Sequence, residues 1–288
     1  MISSPFPARP LPRRRLLAAA LVGLTMSISG CAQDSSRFTQ RSQYANLVPA
    51  EQVEQSAEQQ YSQLLAQARQ QHALAGDNDP RVIRVRAIAK RLIVPALRYN
   101  KRASQWQWQV NVIGSKEINA FCMPGGKIAV YTGLLDQIKP TDDELAMVLG
   151  HEMSHALLEH AREQMGKAMI TQTGASLLSS LFGLGNAGQQ VLGIGTQLLS
   201  LRFSREDETQ ADLLGMELAA RAGYDPHAAV SLWHKMEAAS KNSPPQWLST
   251  HPSSDTRIRD IEANLPLVMP IYERAPKPAR RFDAGLKP

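Results

Sequence analysis

The chain has 288 residues, of which 43% are hydrophobic and 20% charged, a composition that fits one well-formed globular core and excludes extended disorder. Its formal charge of +6 is unevenly placed. The first 30 residues hold Arg9, Arg13, Arg14 and Arg15 and no acid, so the rest carries only about +2. That balance argues against nucleic acid as a partner.

The N-terminal segment reads as an address. RPLPRRR is a basic region, and LLAAALVGLTMSI is an apolar stretch short for a bilayer span. Ile28-Ser29-Gly30-Cys31 closes it, and small residues before a cysteine at this place resemble a bacterial lipoprotein signal. The expectation is a signal peptide over 1–30, lipid attachment at Cys31 and a tether over 31–48. By the same resemblance, Ala32 after the cysteine favours the outer membrane. An ordinary signal peptide or a short anchor helix is the plainer alternative. Cys122 is then alone and expected to be a packing residue.

From Pro49 to about Leu74 the chain has good helix formers but few apolar residues, which predicts a surface helix. Val82, Val85, Ile88, Leu92 and Ile93 follow at helical spacing after the break at 76–80. The period changes to two over Gln105–Ile113, which predicts a strand with Trp106, Trp108, Val110 and Val112 on one face. Pro124-Gly125-Gly126 is a turn between two β segments, the second being KIAVYT. Thr141–Glu144 fits a capping box, so a helix is expected from about Asp142 to the mid-160s. Residues 168–200 form a Gly-rich apolar insert, expected as a helical pair or a lid. Helices are expected over about 189–222, 226–240 and 255–264, and a disordered tail over 271–288.

The candidate chemistry lies in LAMVLGHEMSHALLEH. His151 and His155, four residues apart, project from one helix face and can bind one Zn²⁺. Glu152 can reach a metal-bound water without being a ligand. Two surface histidines are the bland alternative, weakened by the apolar residues on either side. His160 lies nine residues past His151 on the same expected helix, is turned off the ligand face, and reads as a surface residue. A catalytic zinc needs a third protein ligand. In SREDETQADLLGMELAARAGYDP, Glu208 is the candidate, with Glu206 and Asp207 as rivals by charge. Asp212, one turn on, can accept a hydrogen bond from a ligand histidine, or pair instead with Arg221 or Arg205. Ala211 is small enough to let two helices approach closely.

These pieces, with NAFCMPGGKIAVYTGLL and STHPSSDTRIRDI, resemble in order the zinc metallopeptidase family of the CAAX prenyl endopeptidase and HtpX type, in its soluble bacterial lipoprotein, LoiP-like branch. The resemblance covers roughly 80–265, within an expected metallopeptidase domain over 49–270. It implies an α+β, mostly helical, gluzincin-type zincin fold with a small β-sheet beside the active-site helix. It also implies roles for Asn119 in binding substrate backbone, and for His251 and Arg257 near the zinc. Either of the last two could stabilise an oxyanion, or His251 could approach the metal when substrate is absent. A substrate strand is expected to pair near Ala129–Thr132. The implied function is zinc-dependent hydrolysis of unfolded or misassembled envelope proteins in the periplasm, with one Zn²⁺ per chain. Outer-membrane assembly machinery is a candidate partner. The alternatives are a chaperone-like binding protein with a latent zinc site, and a structural zinc site with His251 as fourth ligand.

Overall fold

The computed structural model describes residues 41–170, 198, 201–240, 246–251, 256–282 and 284. The signal segment with Cys31, and the Gly-rich insert apart from its first three residues and Leu198, lie outside the described residues. Helices dominate, with one three-stranded sheet. None of the described helices is long and apolar enough to cross a membrane.

Helix α1 spans Ala50–Gln70 and α2 spans Pro80–Ala96. Asp79 caps α2 by accepting from Arg81 N at 2.8 Å, and Pro80 opens it where no N–H is needed. The sheet contains β1 (Gln109–Ile113), β2 (Ala120–Met123) and β3 (Lys127–Tyr131) in the order β1-β3-β2. β2 and β3 form an antiparallel hairpin, whereas β1 runs parallel to β3. Gly125 and Gly126 make the turn with φ of 83° and 77°, a region open to glycine at no steric cost.

Both faces of this sheet are covered, so successive strand residues enter opposite cores. Val112, Ile128, Val130, Ala120 and Cys122 face the larger core with α2. Ile113, Phe121, Met123 and Ala129 face a second core built on α1. The helix expected at 49–74 forms with one face exposed, but its other face supplies the second core. Val53, Ala57, Tyr61, Leu65 and Ala68 form a narrow apolar stripe that is fully used, and Tyr61 Oη donates to Ile128 O at 2.5 Å. The strand after Gln105 is also shorter than expected. Trp106 and Trp108 precede β1 and pack on each other at 5.3 Å.

Helix α3 (Asp142–Leu157) starts in a complete capping box: Thr141 Oγ1 accepts from Glu144 N, and Glu144 returns the bond to Thr141 N. It is a core helix, buried at every residue from Glu144 onward. It ends earlier than its sequence suggests. Glu159 adopts φ 62°, the chain turns, and α4 (His160–Ile170) begins on a new axis. Asn100 Nδ2 donates to Leu157 O at 3.0 Å and satisfies one carbonyl at the buried C-terminal end of α3.

Helix α5 covers Arg205–Arg221; residues 201–204 ahead of it are not helical, and the expected start of this helix at 189 lies outside the described residues. Ser204 is extended and caps it, with Asp207 completing a second capping box. Gly223, at φ 84°, terminates it. Helices α6 (Ala228–Ser240) and α7 (Gln246–Thr250) follow. Helix α8 runs from Arg257 to Arg274, ten residues past the expected end, through Pro266 and Pro270. Both prolines are exposed and four apart, so the carbonyls they leave unbonded face water. The chain past 271 is not wholly a tail: Arg281 pairs with Asp143 at 2.8 Å and Phe282 N donates to Asp142 at 2.7 Å.

Helices α3 and α5 cross at a glycine pair. A Cβ built on Gly150 would lie 2.7 Å from Gly215 O, and one on Gly215 would lie 2.8 Å from His151 N. Ala211 is buried nearby, but the backbones meet at the glycines. This crossing sets the distance between the two candidate ligand helices.

Candidate metal centre

Four buried side chains meet at the crossing. One ligand atom each from His151, His155, Glu208 and His251 lies within 4.8 Å of all the others. His151 Nε2 is 3.1 Å from His155 Nε2 and 3.2 Å from His251 Nδ1. Glu208 Oε1 is 2.9 Å from His251 Nδ1 and 3.5 Å from His155 Nε2. A tetrahedral zinc with nitrogen ligands at about 2.0–2.1 Å has ligand–ligand edges of about 3.3–3.4 Å. The observed spacings are of that size, and the donor set of imidazoles and a carboxylate suits zinc. The residues therefore fit the ion.

The supporting contacts run outward from these atoms. Asp212 Oδ1 lies 2.9 Å from His151 Nδ1, so a proton on Nδ1 is bonded there and Nε2 is the nitrogen turned to the other donors. Asp212 is held by Arg257, not by Arg221 or Arg205. Arg257 Nε and Nη2 donate to its two oxygens at 2.6 and 2.8 Å, while Nη1 sits 2.8 Å from Glu208 Oε2. The guanidinium also lies 3.7 Å over the Trp233 ring. Glu206 is exposed, and Asp207 is committed to the α5 cap and to Gln164 Nε2 at 2.9 Å. Charge alone did not separate these three neighbours. Helical phase does, because Glu208 is the one turned toward α3.

Electrostatics follow from burial and pairing. Burial drives the His151 imidazolium toward neutrality, yet its bond to Asp212 and the nearby Glu208 outweigh it and hold the group at about 9. Burial would raise the Glu208 carboxyl, but His151 and His251 hold it far below the usual range. Asp212 is lowered against burial by the charge of Arg257 and by His151. His155 is pushed well below its ordinary value by burial, and His151 and His251 add to that while Glu208 opposes it. The cluster thus holds two carboxylates and at least one bare imidazole, a cation-seeking arrangement.

Glu152 stands beside the donors. Its Oε1 accepts from Trp247 Nε1 at 2.5 Å and lies 3.5 Å from His251 Nε2. It borders a cleft with about 560 Å³ of empty volume, shared with His155, His251, Phe203 and the run from Asn119 to Pro124. That run is β2 and its flanks. β3, which carries Ala129–Tyr131, is the central strand, so the expected pairing site at Ala129–Thr132 is not an edge. Among the described residues the free edge facing the cleft is β2. Asn119 sits at its start, with Oδ1 accepting from Ala120 N at 2.9 Å.

Three residues here carried no readable signal. Trp247 stacks on His251 with ring centroids 4.9 Å apart, and Phe203 stacks on His155 at 3.9 Å. His160, expected on the surface, is 1% exposed, with Nδ1 2.9 Å from His155 Nδ1. The left-handed turn at Glu159 brings it back, and a continuous helix would have carried it away.

The sequence model of peptidase family M48 matches residues 81–265, well over half of the chain. The chain belongs to peptidase family M48. The match holds all four gathered donors and both flanking carboxylates, and enzymes of this family use zinc. Among curated relatives, the cattle mitochondrial metalloendopeptidase OMA1 is 33% identical over 73% of this chain and 44% of its own length. The metalloprotease LoiP of Escherichia coli is 31% identical over 60% of this chain and 69% of its own. The beta-barrel assembly-enhancing protease of Yersinia pestis is 31% identical over 52% of this chain and 32% of its own. The chain thus spans about half the length, or less, of several relatives it matches.

Proposed function

We propose that this M48 member is a zinc-dependent endopeptidase acting on extended polypeptide. One observation carries the reading: Glu152 stands next to the metal donors without joining them, and shares with them a cleft walled by the edge strand β2. A purely structural zinc would have no use for that carboxylate or that cleft.

His151, His155 and Glu208 would hold the zinc, which when bound polarises a scissile carbonyl and acidifies water at neutral pH. Glu152 accepts a proton from the attacking water and returns it to the leaving amine. The β2 edge offers its backbone N–H and C=O groups to an extended substrate, with Asn119 at one end of that edge. His251, the fourth gathered donor, would approach the metal when substrate is absent, and its place between Glu208 and Glu152 would let it contact a developing oxyanion once substrate is bound. For Arg257 we infer a supporting role. Its guanidinium is turned to Asp212 and Glu208, so it holds the carboxylates in place.

The substrates we infer are unfolded or misassembled envelope proteins, and the place is the periplasmic side of an outer membrane, held by a lipid on Cys31. The basic, apolar and cysteine order of residues 9–31 supports the anchor. A bacterial relative named as a beta-barrel assembly-enhancing protease supports the envelope setting and a link to outer-membrane assembly.

Casein unfolded in solution tests the activity. Wild-type protein loaded with zinc should cleave it, and Glu152→Gln should keep zinc while losing nearly all cleavage. Binding without cleavage by the wild type would point to the chaperone-like alternative. Wild-type rates in the variant would remove Glu152 from the mechanism.

A further inference from the structure

His160 is outside the donor set and outside the cleft lining, yet it is buried against a donor. The contact can be read atom by atom. His155 Nε2 is the nitrogen that faces His151 Nε2 and Glu208. A ligand nitrogen must offer a lone pair, so a neutral His155 carries its proton on Nδ1. That proton points at His160 Nδ1, 2.9 Å away, which must therefore be the acceptor. The His160 proton then sits on Nε2, and 3.3 Å from it is Gln210 Oε1, an acceptor. The Gln210 amide nitrogen faces Glu206 Oε1 at 3.5 Å, which fixes the same orientation of the amide from its other end. One assignment of protons satisfies each contact from the donor cluster to the surface of α5.

We propose that His160 is a positioning residue for His155, with Gln210 completing the chain. It sets the tautomer and ring angle of His155 as Asp212 does for His151. The two imidazoles are then backed unequally, one by a carboxylate and one by a neutral ring. The Phe203 ring, stacked 3.9 Å from His155 at 25°, holds the plane of the imidazole, and the Nδ1 bond selects which of the two flipped orientations it takes. The turn at Glu159 gains a purpose: it ends α3 where His160 can face back.

The inference rests on the zinc reading above, and its test separates the two. Zinc affinity of the purified full-length protein is measured by competition with a chromophoric chelator, and cobalt(II) absorption reports ligand geometry. His160→Phe keeps the ring and removes the acceptor, and should weaken zinc about 10–100-fold and shift the cobalt spectrum. His160→Asn places Oδ1 near the lost Nδ1 and should recover most of both. Melting of the metal-free protein should move little between these two variants. Gln210→Leu, at a half-exposed site, should weaken zinc by a smaller factor and carries the test if His160→Phe does not fold. Unchanged zinc affinity and cobalt spectrum in His160→Phe or Gln210→Leu, with zinc lost in His155→Ala, would overturn the positioning role alone. Zinc binding indifferent to His155→Ala would overturn the site itself.

Discussion

Replacing Gly215 by alanine probes what sets the spacing of the metal donors. The new Cβ would lie 2.8 Å from His151 N, 3.0 Å from Gly150 C and 3.1 Å from His151 Cα, all backbone atoms of α3. Carbon contacts are comfortable near 3.5–4.0 Å, so α3 and α5 must part by roughly 0.7 Å. Overpacking of this kind costs about 1–3 kcal/mol, and the better helix propensity of alanine returns about 1 kcal/mol. The net loss of up to about 2 kcal/mol predicts a metal-free melting temperature lower by up to about 4–8 °C. The larger effect should be on zinc. His151 and His155 ride on α3 and Glu208 on α5, so the same displacement opens one edge of the donor set. Zinc affinity should fall by about 10–100-fold, as when supporting contacts of a metal site are lost. Calorimetry of the metal-free variant and chelator competition give the two numbers. An unchanged affinity beside a raised melting temperature would show that the glycine crossing does not govern the site.

Asp212→Asn should retain the fold and lower zinc affinity about 10–100-fold, since it weakens both the His151 bond and the Arg257 pair; unchanged affinity in the chelator assay would refute the supporting role. Glu144 makes a pH prediction. Burial raises its pKa, but Lys235, the Thr141 N–H and Ser231 more than offset this and hold it below 4.5. Its stabilising effect is therefore present above the unfolded value of 4.5 and lost as pH falls through the folded value. Glu144→Gln should flatten the acid limb of a stability-versus-pH curve, and an unaltered limb would exclude Glu144 as a contributor. Cys31→Ser should abolish labelling by a palmitate analogue in cells, and equal labelling of the mutant would end the lipid-anchor reading.

What could be read from sequence was what depends on neighbours along one helix. The capping box at Thr141 and the four-residue step from His151 to His155 are local, and α3 follows from them. The step from Glu208 to Asp212 is local too. What depends on the path between elements was not legible. Glutamate gives no hint of a left-handed conformation, so Glu159 hid the end of α3 and with it His160. The apolar run before Arg205 looked continuous with α5, and the Ser204–Asp207 capping box that stops it was passed over. β1 pairs parallel to β3 across a connection, so which strand forms the edge could not be read from alternation. Tyr61 and its stripe looked thin by composition, yet a sheet face already short of partners needs only that stripe. Trp247 reaches Glu152 from 95 residues away, and nothing near it in the chain announces the contact.

The place of Arg257 in the chain has a consequence for synthesis. Glu208 is buried and Asp212, on the same face of α5, is partly so, and the described cation that touches both is the first residue of α8. Burying that pair without its cation is strongly unfavourable. A ribosome delivers α3 and α5 well before α8, and domains assemble in that direction. The nascent chain therefore carries its histidines and acids for some time without the guanidinium that lets them close together. The site therefore closes only after Arg257 has been made.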